Sequence, residues 1–180
     1  MAAWALAALR PWTKDQLLVT NNEAVAEALD TQASPDLVPG RGPLGGLHTA
    51  LSCVQDRGLD GAFVLACDLP LVRKELVGRV LELWPEDATA VVPGSEGPLG
   101  MEPLCGAYGV GCLPVLEELL EEEDRSLNVV VKRIEAYRIP PTALGTREEL
   151  ARAFTNVNTL ATAKVADGAL QLTRAEGGEP

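Results

Sequence analysis

Apolar residues in this chain fall into two kinds of run, and the two alternate. Short runs that are apolar on both faces read as strands: Leu17-Leu18-Val19 inside 16–20, Ala62-Phe63-Val64-Leu65-Ala66, 88–92, 104–108 and 136–139. Between them lie segments with apolar residues spaced near 3.6. Leu76, Val77, Val80, Leu81 and Trp84 predict a helix over 73–84. Leu47, Leu51 and Val54 predict another, and Leu127, Val130, Val131 and Ile134 a third behind Ser126, a good capping residue. Residues 2–9 and 23–29 have helical composition, with Asn21-Asn22 placed to cap the second. Pro114 opens a Leu- and Glu-rich helix ending near 123, and Thr146-Arg147-Glu148-Glu149 has the spacing of a capping box. Strand and helix in alternation predict a three-layer α/β domain with a mostly parallel sheet. Ligands of such sheets sit at the carboxyl ends of the strands.

Composition narrows the partners. A chain of 180 residues, 47% hydrophobic and 23% charged, suits one globular domain, here placed at 1–166, with a tail at 167–180 of little periodicity that is expected to be disordered. A net charge of −11 repels phosphate polymers and anionic lipid, so nucleic acid and membrane are not expected partners. Cysteines at 53, 67, 105 and 112 form no CxxC pair, and Cys53 and Cys67 read as buried thiols. The apolar start is short and lacks a basic leader, so it reads as a helix rather than a signal or span, and a cytoplasmic location is expected.

Two places could carry chemistry. Asp36-Leu37-Val38-Pro39-Gly40-Arg41-Gly42-Pro43-Leu44-Gly45-Gly46 is a glycine- and proline-rich loop leading into a helix expected to begin near Gly45. Bare backbone amides and the positive end of a helix suit an anion. The same residues also make a surface turn. Asp68, in Cys67-Asp68-Leu69-Pro70, stands where a buried strand must end. A carboxylate there could hold Mg²⁺ beside phosphate oxygens, or cap the next helix. Asn156-Val157-Asn158-Thr159 offers amides and a hydroxyl to a polar ring, or a helix cap. His48, the single histidine, is expected to be packed or exposed rather than catalytic. Glu117, Glu118 and 121–123 read as a solvated helix face, and Lys132-Arg133 as a helix end.

Four stretches in order resemble the molybdenum cofactor guanylyltransferases, MobA-like members of the NTP transferases: the loop 36–46, Cys67-Asp68-Leu69-Pro70, Glu102-Pro103-Leu104-Cys105-Gly106-Ala107-Tyr108, and Phe154-Thr155-Asn156-Val157-Asn158-Thr159. The resemblance implies a Rossmann-like nucleotidyltransferase domain. It implies Asp68 as catalytic, magnesium-binding aspartate, and Asp36, Gly42, Pro43, Leu44, Gly45 and Gly46 as the guanine nucleotide side. It implies Pro103, Leu104, Asn156 and Asn158 as the side facing molybdopterin. The implied reaction joins GMP from GTP to molybdopterin with Mg²⁺, with molybdoenzymes or cofactor chaperones as partners.

The family opens with a strand and a glycine-rich loop, Leu-Ala-Gly-Gly followed by Arg-Met-Gly and a lysine, that this chain lacks. The lost strand would lie between 16–20 and 62–66. The expectation is an open sheet there, weak GTP binding by this polypeptide alone, and a gain of activity on extension upstream by one βα unit. The alternatives are a cytidylyltransferase for the same cofactor, or a non-catalytic pterin-binding module.

Overall fold

The computed structural model describes residues 1–157. In order the elements are α1 (Ala2–Leu9), β1 (Leu17–Val19), α2 (Glu23–Leu29), β2 (Gln32–Ser34), α3 (Gly42–Asp56), β3 (Gly61–Leu65) and α4 (Lys74–Glu82). There follow β4 (Ala90–Pro93), β5 (Cys105–Gly109), a 3₁₀ turn at Val110–Cys112, α5 (Leu113–Glu121), α6 (Leu127–Arg133), β6 (Tyr137–Ile139), α7 (Pro141–Leu144) and α8 (Arg147–Ala153).

The main sheet has the order β3-β5-β4-β6. β5 runs antiparallel to both β3 and β4, while β4 and β6 are parallel, so three of the four strands point one way. β1 and β2 form a separate parallel pair. The chain is thus α/β with a mostly parallel main sheet, and helices cover both faces.

Alternation along the strands decides which face each residue serves. Ala62, Val64, Ala90, Val92 and Tyr108 pack with α3, α5 and α6 through Leu44, Leu47, Leu51, Leu116 and Leu119. Phe63, Leu65, Val91, Cys105 and Ala107 face the other way, onto α1, α4, α7 and α8 through Ala8, Leu76, Val77, Val80, Leu144 and Leu150. Each fully buried Leu or Val side chain contributes about 1.5–3 kcal/mol. Close approach fixes Gly106 in β5: a Cβ there would lie 2.6 Å from the Val91 carbonyl oxygen.

Local signals explain several helix ends. Thr146 and Glu149 form the full reciprocal capping box at the start of α8, as the spacing predicts. Arg133 pairs with Glu118 and Glu122 across exposed faces of α5 and α6, so that cation belongs to a solvated rim. Other expectations are corrected. The helix after the glycine loop begins at Gly42, not near Gly45, because Pro43 is tolerated in a first turn and the chain winds at once. Neither Asn22 nor Ser126 makes a side-chain cap bond. Asn21 instead reaches Asp36. Cys67 is exposed and Cys53 half-buried, since one sits in a turn and the other on the flank of α3. β2 and α7 had no periodic signal and were not expected.

Candidate functional site

β3 delivers Asp68. The ladder with β5 continues one step past β3, with the Ala66 amide donating to the Leu104 carbonyl at 2.8 Å. The chain then turns. Leu69 and Pro70 are buried and anchor the turn, and Asp68 between them and exposed Cys67 is half-buried. Asp68 does not cap α4, which starts at Lys74 behind Arg73. Its carboxylate is therefore left for another use. The Val157 amide donates to the Asp68 carbonyl at 2.9 Å, tying the segment after α8 to this turn. That bond brings Asn156, exposed, close to Asp68 in the chain path. Asn158 lies outside the described residues.

The entry to β5 forms the neighbouring wall. Pro103 is buried, and its carbonyl accepts a 2.5 Å hydrogen bond from the Tyr108 hydroxyl. Leu104 is half-buried. Glu102, just before them, is fixed by its amide, which donates to the Pro93 carbonyl at 2.9 Å. Burial pushes the Glu102 carboxyl above its ordinary range, the Ser95 hydroxyl bonded to it pulls the other way, and the charge of Asp68 adds to the upward push. Glu102 and Asp68 thus feel each other across the site. Two thiols beside the site are held as thiols at neutral pH: burial pushes Cys112 up to about 11 and Cys105 higher still.

A cleft of about 350 Å³ opens beside Glu102, between the β4–β5 connection and the α7–α8 corner. Ser95, Glu102 and Thr142 give it polar atoms, and Leu150 and Phe154 give it apolar walls. At its rim the Arg147 guanidinium bonds the Glu96 carboxylate at 2.7 Å, an exposed pair.

The glycine loop makes a second group. Asp36 and Asn21 are joined reciprocally: the Asn21 side-chain amide donates to Asp36 Oδ2 at 2.8 Å, and the Asp36 amide donates to Asn21 Oδ1 at 2.9 Å. The Leu37 amide donates to the Thr49 hydroxyl at 2.9 Å, clamping the loop onto α3. Gly42 has φ +58°, a left-handed conformation that favours glycine. Gly45 is buried, and a Cβ there would press on Val38. Its amide is already engaged by Arg41, Pro43 has none and Leu44 is fully buried, so Gly42 carries the one exposed amide of the first turn, without a partner among the described residues. Fewer donors remain than a fully bare loop would offer. His48, deeper in α3, is buried and its Nδ1 has no partner among the described residues.

Sequence reasoning missed the cleft. Glu102 and Phe154 belong to two of the four resembling stretches, but Ser95 and Thr142 come from segments that only the tertiary fold brings beside them. No described helix is long and apolar enough to cross a membrane.

Residues 1–138 match the family described as the MobA-like NTP transferase domain, and the chain belongs to that family. It is 28% identical over 160 residues to the molybdenum cofactor guanylyltransferase of Desulfosudis oleivorans, covering 89% of this chain and 77% of that protein. It is 34% identical over 156 residues to the "Probable molybdenum cofactor guanylyltransferase" of Carboxydothermus hydrogenoformans, covering 84% of this chain and 73% of that protein. In fold it is similar to the crystal structure of molybdopterin-guanine dinucleotide biosynthesis protein A from Archaeoglobus fulgidus, with a TM-score of 0.73 at 24% identity over 94% of this chain and 85% of that one.

Proposed function

We propose that this chain is a nucleotidyltransferase of molybdenum cofactor maturation, acting on GTP and molybdopterin with Mg²⁺. The observation that carries the reading is Asp68, half-buried at the exit of β3, free of any helix-capping duty and bonded through its carbonyl to the segment of Asn156 and Val157. Family membership and the names of the relatives support the class of reaction.

Mg²⁺ takes one or two carboxylates and completes its shell with water and substrate phosphate. The residues fit that habit: Asp68, half-buried in the turn after β3, offers a hard oxygen donor. Asp68 would hold the ion against the triphosphate. Bound there, Mg²⁺ would draw charge from the phosphate oxygens. The exposed amide of Gly42, at the positive end of the 15-residue helix α3, would donate to the nucleotide. Asp36, whose Oδ1 has no partner among the described residues, would meet donors of the base. Glu102, Pro103, Leu104 and Asn156 would orient the acceptor. Its phosphate oxygen would attack the α-phosphorus, that bond forming as the bond to pyrophosphate breaks.

The test is nucleotide binding read by thermal shift, followed by pyrophosphate release with molybdopterin. GTP with Mg²⁺ is expected to raise Tm for the wild type by the small margin that weak binding gives at high nucleotide concentration, and not for Asp68→Asn. A larger shift with CTP would move the assignment to a cytidylyltransferase. The separation of the β1–β2 pair from the main sheet favours a second reading, a module that holds the pterin without transferring to it. Pterin binding with no shift from either nucleotide would select it.

A further inference from the structure

Among the described residues the Glu102 carboxylate serves no ladder, cap or ion pair, yet the fold orients it. Ser95 Oγ and Glu102 Oε1 lie side by side over Gly97, 3.3 and 3.2 Å from where its Cβ would stand, and the hydroxyl favours the charged carboxylate. Ser95 Oγ also accepts from the Gly97 amide at 3.2 Å, so its one proton is left to give to Glu102. Gly97 passes so close that a Cβ there would lie 3.2 Å from Glu102 Oε1. The carboxylate is thus held from the hairpin side and lines the cleft on the other.

The cleft's other walls are Pro141, Leu150 and Phe154. Its volume of about 350 Å³ admits a fused two-ring heterocycle. Apolar walls take the ring faces, and a carboxylate at one side accepts hydrogen bonds and donates none when ionised. The matching edge carries two adjacent N–H donors. A 2-amino-4-oxopyrimidine ring has such an edge; its 2,4-dioxo analogue replaces one donor with a carbonyl oxygen that the carboxylate repels.

We propose that Glu102 selects the acceptor, reading the two-donor edge of its pterin ring inside the Ser95–Phe154 cleft. This rests on the transferase reading for the acceptor's identity, and it adds the residue that recognises the ring. The same edge occurs on guanine. Glu102 belongs to the β5 entry and the cleft, while Asp36 lies in the loop between β2 and α3 and no residue of 36–46 lines the cleft, so the ring read by Glu102 is the acceptor's.

The experiment titrates the full chain with 6-hydroxymethylpterin and with its 2,4-dioxo analogue, 6-hydroxymethyllumazine, by ring fluorescence. No nucleotide or Mg²⁺ is added. The wild type is expected to prefer the pterin by about tenfold or more, as expected where a charged acceptor loses one of its donors. Glu102→Gln is expected to bring the ratio to within about twofold, since an amide can donate to the dioxo edge. The ratio is read within one protein, so a change in overall stability does not move it. If Glu102→Gln fails to fold, Ser95→Ala, which releases the carboxylate from its hydroxyl, is expected to lower the same ratio part way.

A wild-type ratio near one overturns the proposal, as does an unchanged ratio in the folded variants. Displacement of the pterin by guanosine at matching affinity also overturns it, by giving the cleft to the nucleotide base. The probes carry no phosphate, so loss of transfer activity with the ratio intact would count against the transferase reading alone.

Discussion

The backbone amide of Val157 donates to the backbone carbonyl of Asp68 across 2.9 Å, although 88 residues, 157 minus 68 less one, separate them in sequence. Val157 is itself buried, so the bond and the side chain together pin the segment after α8 against the exit of β3. The turn that carries the proposed metal ligand is therefore braced from the far end of the described chain. Val157→Pro removes the donor and is expected to cost about 1 kcal/mol for the bond. It is also expected to reduce the Mg²⁺-dependent thermal shift with GTP. Val157→Ala keeps the donor and should lose packing without losing the shift. Equal loss of the shift in both variants would mean that the bond does not position Asp68.

Tyr108 gives a second brace, a local one, from near the end of β5 back to Pro103 in the stretch that faces the site. It is fully buried, and its hydroxyl meets the Pro103 carbonyl at 2.5 Å. Tyr108→Phe keeps the ring and leaves that carbonyl without its donor. The expected loss is about 1–3 kcal/mol, read by urea unfolding. Because Glu102 precedes Pro103, pterin affinity should fall as well. Full stability in the variant would show that water replaces the hydroxyl.

Glu102 has a pH signature. Burial raises its carboxyl above the ordinary value of 4.5, so the folded protein holds this proton more tightly than the unfolded chain. The stabilising contribution is complete below about pH 4.5 and is lost as pH rises through the raised folded value. At neutral pH the ionised group therefore weakens the fold. Glu102→Gln should raise Tm at pH 7 in the presence of a chelator, and the gap should close on acidification. A gap that widens on acidification would contradict the sign. A carboxylate that costs stability and is kept oriented is consistent with a role in recognition.

The sheet's middle was legible because its strands are apolar on both faces. Runs read as 62–66, 88–92 and 104–108 became Gly61–Leu65, Ala90–Pro93 and Cys105–Gly109, shifted by at most a residue or two. Helix α4 emerged inside the predicted 73–84, trimmed to Lys74–Glu82. What escaped was short or polar: β2 is Gln-Ala-Ser, three exposed or half-exposed residues whose strand geometry comes only from pairing with β1. Asp68 could be placed at a strand's end, but not freed from capping until α4 was seen to start at Lys74. The Ser95–Phe154 cleft was invisible because its walls come from four segments with no shared spacing. Cys67 misled because hydrophobic neighbours imply burial only while the strand lasts, and the strand ends at Leu65.

The open edge of β3 can be tested directly. Ala66 and Asp60 direct their backbone groups to the β5 side, through the Ala66 amide to Leu104 and the Val110 amide to the Asp60 carbonyl. Backbone groups alternate along an antiparallel strand, so Ala62 and Val64 also point to β5. Phe63 and Leu65 then point the opposite way, where no described strand pairs with β3. All five residues of β3 are only half-buried, although four of them are apolar side chains in the layer between two helical faces. Amide hydrogen exchange should therefore be faster at Phe63 and Leu65 than at Ala62 and Val64, by the margin that separates an unpaired edge from a ladder. A difference of tenfold or more, about 1.4 kcal/mol, is the expected scale. Equal protection at all four amides would mean that another segment already covers this edge.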